Sequence, residues 1–355
     1  MTSTPPADTA AVRDTTSALD ALPPLRDVIA AAGLDARKSL GQHFLLDLNL
    51  TRRIAKLAEG ENGVAGRTVI EVGPGPGGLT RGLLAGPAAR VIAIERDGRA
   101  VQALQPLIDA CPGRFSIIEA DALAMDPGSL LDAVGDDGRC WIASNLPYNI
   151  STQLTVQWAE RPERIAGMVL MYQKEVADRL TARPGGKDYG RLSVLAQWRF
   201  SIYKGFDIGP RAFTPPPKVT STVLVFETRP EPLAPAELKA LSTVTATAFG
   251  QRRKMLRQSL KALGNAEDLL AAAGSIRRAG PKRCRWKGFV PWHAPSPIGG
   301  RQRMANGRSR PPSVSGQSTK SPAAPAPMPR TTISISRTRS PSTSMRTSDV
   351  DAVRT

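Results

Sequence analysis

Four consecutive residues, Asn145-Leu146-Pro147-Tyr148, bring together groups suited to holding a flat ring that bears an amine. The Asn side-chain oxygen and a carbonyl at Leu146 or Pro147 can accept hydrogen bonds from the amine, and the Tyr ring can stack on the plane. A nucleobase amino group meets all of these conditions. The same residues also suit an ordinary turn, since Asn and Pro favour turns and Tyr often closes a core edge. The choice depends on whether a second reactant has a place nearby, and a glycine-rich stretch upstream supplies one. Gly73, Gly75 and Gly78 satisfy Gly-x-Gly-x-x-Gly directly after an apolar run. Such glycines let the chain turn sharply and approach a ligand without Cβ interference. Glu95 ends a second apolar run 22 residues after Gly73, near the offset at which a carboxylate meets ribose hydroxyls. A bound cofactor carrying a nucleoside is expected.

Pro74 and Pro76 remove two N–H donors that a pyrophosphate would need at this loop. That argues for a ligand whose amino-acid part and sugar lie on the loop, as in S-adenosylmethionine. An NAD-dependent oxidoreductase is the competing reading; the glycine spacing supports it, while the prolines and the Asn145 to Tyr148 turn oppose it. Asp121 follows a third apolar run, Phe115 to Ala120. It suits an adenine amino group as an acceptor, or a helix N-cap, and the two roles are compatible.

These groups need rigid supports. Thr68 to Gly73, Arg90 to Glu95, Phe115 to Ala120, Arg139 to Ala143 and Gly167 to Gln173 read as strands, with the chemistry at their carboxyl ends. Ser151 to Trp158 and Lys174 to Ala182 read as helices, and Ser193 to Tyr203 with Ser221 to Thr228 as an antiparallel pair closing the sheet. The pattern predicts an α/β Rossmann-like fold, in which the crevice lies outside the carboxyl ends of the strands. Leu25 to Ala32 reads as a short helix; Phe44 and Leu45 suit a staple on the helix that follows them, and Gln42 and His43 a cover over the cofactor. From Pro235 the pattern is helical, with Leu241, Val244 and Ala248 on one face. Beyond Gly250, Arg253, Arg257 and Lys261 fall on a stripe opposite Leu256 and Leu260, beside Arg252 and Lys254. The stripe suits either a solvated face or a surface that tracks phosphates, and the second is favoured. Arg183, Lys187, Arg191 and Lys218 sit on Gly- and Pro-rich stretches where phosphates can dock.

Composition narrows the chemistry further. The chain has 355 residues, with three cysteines in no metal spacing and two histidines, His43 and His293, so no metal site is expected. No stretch has the apolar length of a membrane span, and the first thirty residues lack a signal-peptide core, so a cytoplasmic location is expected. The formal net charge is +17, but 14 Lys and Arg against 2 Asp lie from Ala279 onward. The overall basicity is therefore weak evidence for nucleic-acid binding.

Six stretches occur in order: Ser39-Leu40-Gly41-Gln42-His43-Phe44-Leu45, Glu71-Val72-Gly73-Pro74-Gly75-Pro76-Gly77, Asn145 to Thr152, Gln173-Lys174-Glu175-Val176, Tyr189-Gly190-Arg191-Leu192-Ser193 and Phe213-Thr214-Pro215-Pro216-Pro217-Lys218-Val219. Together they resemble the small-subunit ribosomal RNA adenine N6,N6-dimethyltransferase family of bacterial type, across roughly Arg37 to Arg278. The resemblance implies a class I S-adenosylmethionine-dependent methyltransferase domain over 37–230 and a small all-helical, RNA-contacting domain over 231–278. It implies methylation at N6 of two adjacent adenosines near the 3′ end of 16S rRNA, and a role in small-subunit biogenesis. The partner would be the rRNA or the immature small subunit, met by a monomer. By motif position the resemblance places His43, Leu45, Gly73, Glu95, Asp121 and Asn145 on the cofactor. His43 departs from the Asn common in the family. At the base, Asn145 and Pro147 would hold the amine and Tyr148 would stack; Phe213 suits either support of the other face or a core anchor. Arg191, Lys218, Arg252, Arg253 and Arg257 are the candidates for RNA phosphates. A non-catalytic assembly factor that binds pre-rRNA is the alternative function.

The ends of the chain read differently. Residues 1–36 suit a partly disordered leader, unstructured to about Ala21, and residues 279–355 a disordered basic tail. Codons chosen for Gly280 to Gly288 and read two bases later spell Ala-Glu-Ala-Leu-Pro-Val-Glu-Gly, similar to the family's final acidic segment. A frameshift that truncates the helical domain is the expectation, and an intact frame on resequencing would remove it.

Overall fold

A run of β-branched residues buried on both sides makes a central strand, and Thr68–Val72 is one in this computed structural model, with every residue buried. The structure describes residues 15–34, 43–59, 63–251, 254–264, 266 and 280–281. The strands are β1 (Phe44–Leu45), β2 (Thr68–Val72), β3 (Arg90–Glu95), β4 (Phe115–Glu119), β5 (Cys140–Ser144), β6 (Ile165–Gln173), β7 (Phe200–Ile208), β8 (Phe213–Thr214) and β9 (Ser221–Thr228). Seven of them form one sheet in the order β4-β3-β2-β5-β6-β9-β7. The first five in that order run parallel, β9 runs against them, and β7, antiparallel to β9, runs in their direction again. β1 and β8 form a separate antiparallel pair, Phe44 opposite Thr214 and Leu45 opposite Phe213.

Alternation along β2 distributes the core. Val69 packs into a layer with Leu79, Leu83 and Ile54, whereas Ile70 and Val72 pack into the opposite layer with Ile142, Leu154 and Trp158. Both faces of the sheet are covered, as a parallel sheet requires. After β2 the chain moves to β3 and β4 on one side, and it returns past β2 to β5 on the other. The loops after β2 and β5 therefore diverge and leave a crevice between them.

Three expectations change. Ser193 to Arg199 is not strand: Arg191–Arg199 is a helix, and β7 begins only at Phe200. Val194, Leu195 and Trp198 face a third core with Leu241, Val244 and Phe249, while Ala196 faces the sheet side. Burial on two sides hides the amphipathic period on which a helix assignment depends. The basic stripe is also not one helix. The helix Leu238–Gly250 ends, Met255 is extended, and Leu256–Ser259 starts anew before a 3₁₀ turn at Leu260–Leu263. Leu256 and Leu260 are buried and Arg257 and Lys261 exposed, as expected, but Arg252 and Arg253 lie outside the described residues. Finally, residues 15–20 are helical rather than unstructured, and Leu19 is buried in the core beside Ile54. Burying one Leu is worth about 2 kcal/mol, enough to hold a single turn in place. The helix Leu25–Ala31 forms as expected. Of the tail, only residues 280–281 are described, so the disorder and frameshift readings lie outside the described residues.

Candidate active site

One cleft of about 1110 Å³, open mouth included, lies at the carboxyl ends of β2, β3, β4 and β5. His43, Leu45, Gly73, Glu95, Asp121 and Asn145 all line it, and so do Pro147 and Tyr148. Phe213 does not. It is 2% exposed, opposite Leu45 in the β1–β8 pair, with its ring edge-on to His43 at 6.5 Å. That placement suits a core anchor, since an apolar ring gains by burial.

The glycine loop is shaped by what lies over it. Gly75 has φ +54°, and a Cβ there would stand 2.9 Å from the Phe44 ring; at Gly78 it would stand 2.5 Å from the Leu45 carbonyl oxygen. The β1 segment therefore rests on the loop as a strap. From below, Glu95 holds the same loop: Oε2 accepts from the Gly75 N–H at 3.3 Å, and Oε1 from the Arg96 and Asp97 N–H groups at 2.8 and 2.9 Å. Burial raises the Glu95 pKa, opposed by these three bonds. Asp121 caps the 3₁₀ turn Ala122–Ala124, accepting from the Leu123 N–H at 3.0 Å, and its other oxygen lies 3.5 Å from Arg96. Both readings of Asp121 are compatible with this placement.

Asn145 is oriented by its neighbour. Its Nδ2 donates to the His43 backbone carbonyl at 2.7 Å. A carbonyl only accepts, so the amide cannot be reversed, and Oδ1 remains to accept. The Tyr148 hydroxyl shares a hydrogen bond of 2.6 Å with Ser221 Oγ at the start of β9, which pins the ring across the sheet. Burial raises the Tyr148 pKa, keeping the phenol neutral.

Glu71 has the most perturbed ionisation at the site. It is 1% exposed, and burial, opposed by the nearby Thr80 hydroxyl and reinforced by the Glu95 charge, pushes its pKa from 4.5 to about 8. Glu71 Oε2 and Thr80 Oγ1 are buried and have no hydrogen-bond partner among the described residues. An acid inside the apolar run Thr68-Val69-Ile70-Glu71-Val72 was the visible signal of this feature. Pro74 and Pro76 leave a pyrophosphate without two of the loop's N–H donors, and the Glu71 carboxyl group, without a partner among the described residues, suits an ammonium whose charge would draw off its proton. The residues present therefore fit S-adenosylmethionine, whose amino-acid part carries that donor, and they do not fit a dinucleotide.

The raised pKa gives a pH dependence with a definite sign. Between about pH 4.5 and pH 8 the folded chain holds a proton at Glu71 that the unfolded chain has lost, so stability falls as pH rises through that window. The loss is on the order of 4–5 kcal/mol at about 1.4 kcal/mol per unit. In urea titrations of the ligand-free chain, Glu71→Gln removes this decline. Parallel curves for variant and wild type from pH 5 to 8 would refute the assignment.

The RNA candidates are spread out. Arg191 is exposed and donates to Ser242 Oγ at 2.7 Å, linking two helices. Lys218 is exposed between β8 and β9, and Arg257 is exposed on Leu256–Ser259. Among the described residues, no group of three His, Cys, Asp or Glu is placed to hold a metal, and no helix is long and apolar enough to cross a membrane.

A family model described as ribosomal RNA adenine dimethylase matches residues 33–279. The chain is 60% identical over 271 residues to the ribosomal RNA small subunit methyltransferase A of Rhodospirillum rubrum, covering 76% of this chain and 91% of that protein. To the protein of the same name from Paramagnetospirillum magneticum it is 56% identical over 268 residues, covering 76% and 92%. Among solved structures it is similar to the 23S rRNA methyltransferase ErmE, with a TM-score of 0.53, 27% identity, and 70% and 97% of the two chains covered.

Proposed function

Because this chain belongs to the ribosomal RNA adenine dimethylase family, we propose that it methylates N6 of two adjacent adenosines near the 3′ end of small-subunit rRNA. It is an S-adenosylmethionine-dependent rRNA adenine N6,N6-dimethyltransferase. The observation that carries the residue-level reading is the Asn145 amide, locked by the His43 carbonyl with Oδ1, among the described residues, left to accept in the cleft that the glycine loop lines.

When bound, S-adenosylmethionine supplies a methyl group activated by a positively charged sulfur. Leu45, Gly73, Glu95 and Asp121 would hold it along the loop and strand ends, with Glu71 as an acceptor for its ammonium. Asn145 Oδ1 accepts one hydrogen of the adenine amine. The Pro147 carbonyl already accepts from the Ile150 N–H at 3.2 Å, so the Leu146 carbonyl is the better second acceptor. Two acceptors on the amine draw its lone pair out of ring conjugation and toward the reacting carbon. Tyr148, held by Ser221, stacks on the base, which must leave its own stack to enter. The helices beyond Leu238, packed on Arg191–Arg199, form the RNA-contacting module, with Arg191, Lys218 and Arg257 on phosphates. The enzyme acts as a monomer in the cytoplasm, where immature small subunits are found.

Incubation of the protein with labelled S-adenosylmethionine and small subunits lacking the modification should yield N6,N6-dimethyladenosine at two neighbouring positions. Cofactor binding without label transfer would overturn the reading.

A further inference from the structure

Two hydroxyl groups sit deep between the sheet and the helix Ser151–Glu160. Tyr172 on β6 and Thr155 on that helix are both 0% exposed, and Tyr172 shares its core layer with Leu154, Leu180 and Phe226. Their oxygens lie 2.7 Å apart. Thr155 Oγ1 also lies 2.7 Å from the Ser151 backbone carbonyl, which only accepts, so its hydrogen points there and the Tyr172 hydroxyl donates to Thr155. Ser151 in turn is buried, and its Oγ donates to the Tyr148 backbone carbonyl at 3.1 Å. The other end of Tyr148, its hydroxyl, is tied to Ser221 Oγ at 2.6 Å. Ser221 pairs with Gln173, the residue after Tyr172, so both ends of Tyr148 are anchored where β6 meets β9. Stability alone does not call for this arrangement. Val and Phe in place of Thr155 and Tyr172 would keep the shapes and remove both hydroxyls together, an exchange that is nearly neutral or stabilising.

We propose that Ser151, Thr155 and Tyr172 are positioning residues for the target adenine, forming a brace that fixes Tyr148 from β6. The inference rests on the reading of Tyr148 as the ring on which the base stacks. None of the three lines the cleft, so each acts through Tyr148. The brace has two links. Tyr172 and Thr155 hold the first turn of the helix against β6, and Ser151 carries that hold to the Tyr148 carbonyl. Fixing the carbonyl fixes the peptide plane that follows Tyr148, while Ser221 fixes the tip of the ring. The stacking surface is then set before the base arrives, and binding the base does not have to order it.

The test compares Ser151→Ala and the double variant Thr155→Val/Tyr172→Phe with wild type in the full chain. Ser151→Ala should slow methyl transfer to unmodified small subunits about tenfold or more, in kcat rather than in KM, as a small misplacement near the reacting groups does. The double variant should be slower by about threefold or more. Its urea midpoint should stay near that of wild type, because both polar partners leave together. Both variants should bind S-adenosylhomocysteine within about twofold of wild type by calorimetry. Links in series are not additive, so the triple variant should be no slower than Ser151→Ala alone. Ring ¹³C labelling gives signals from four tyrosines, and that of Tyr148 is identified by its loss in Tyr148→Phe. Its ring order parameter should fall in both variants. The brace is overturned if the double variant keeps the wild-type rate, if it slows only as far as its urea midpoint falls, if S-adenosylhomocysteine affinity drops in place of kcat, or if Tyr148 stays as ordered as in wild type. Should wild type transfer no methyl group, the functional reading fails separately, while the order of the Tyr148 ring still decides whether the brace exists.

Discussion

Asn145→Ala is expected to lower kcat about 10²–10³-fold, the scale on which removing one preorganised hydrogen-bonding group from an active site slows a reaction. Two effects combine. The acceptor facing the adenine amine disappears, and the His43 carbonyl loses the donor that holds it at 2.7 Å. Asn145→Asp separates them: the carboxylate keeps an acceptor toward the base but sets a second anionic oxygen against the His43 carbonyl, where only a donor is tolerated. It should be nearly as slow as Asn145→Ala. Single-turnover methylation of small subunits, with S-adenosylhomocysteine affinity measured in parallel, reads both variants. If Asn145→Asp keeps more than half of the wild-type rate, the bond to His43 does not matter. The Ala variant also separates enzyme from assembly factor, since rescue of subunit maturation by Asn145→Ala would show a role that does not need transfer.

The second large effect is steric. In Gly78→Ala the new Cβ would stand 2.5 Å from the Leu45 carbonyl oxygen and 3.2 Å from Leu25 Cδ1. The first obstacle is backbone, so the strap must lift rather than rotate a side chain. Overpacking of this kind costs about 1–3 kcal/mol. If the strap lifts, cofactor affinity falls by roughly fivefold to more than a hundredfold, the same energy expressed as binding. Gly209→Ala is the control, because nothing lies within 4 Å of its new Cβ; it should stay within about 0.5 kcal/mol of wild type. Urea denaturation and calorimetry with S-adenosylhomocysteine report the two quantities. Indistinguishable results for the two variants would mean that the strap yields without cost.

What could be read in the sequence and what could not follow a physical division. The Asn145 to Tyr148 turn, the glycine loop and Glu95 were legible because each feature is local, a strand end followed by residues whose backbone or side-chain chemistry is distinctive. The carboxyl-end rule then brought them together without further information. The Tyr148–Ser221 and His43–Pro215 bonds were not legible, since each joins residues far apart in sequence through the closing of the sheet. Phe213 shows the limit for a single residue: an aromatic before a proline run is equally suited to a pocket wall and to the core, and its pairing with Leu45 is not visible in the sequence. The helix Arg191–Arg199 shows no helical period in the sequence because its two sides are both buried. Glu71 lies within the glycine-loop motif, where the local sequence assigns it no role, although an acid in a buried strand needs an explanation wherever it occurs.

The short β1–β8 pair has a consequence for the chain during synthesis. Phe44 and Thr214 meet across most of the folded length, and closing so long a loop is entropically costly and late. The strands that carry the glycine loop can assemble earlier, but the cover over that loop cannot be fastened until residues past 215 have left the ribosome. A nascent chain halted before that point carries the glycine loop without the β1–β8 pair that fastens its cover.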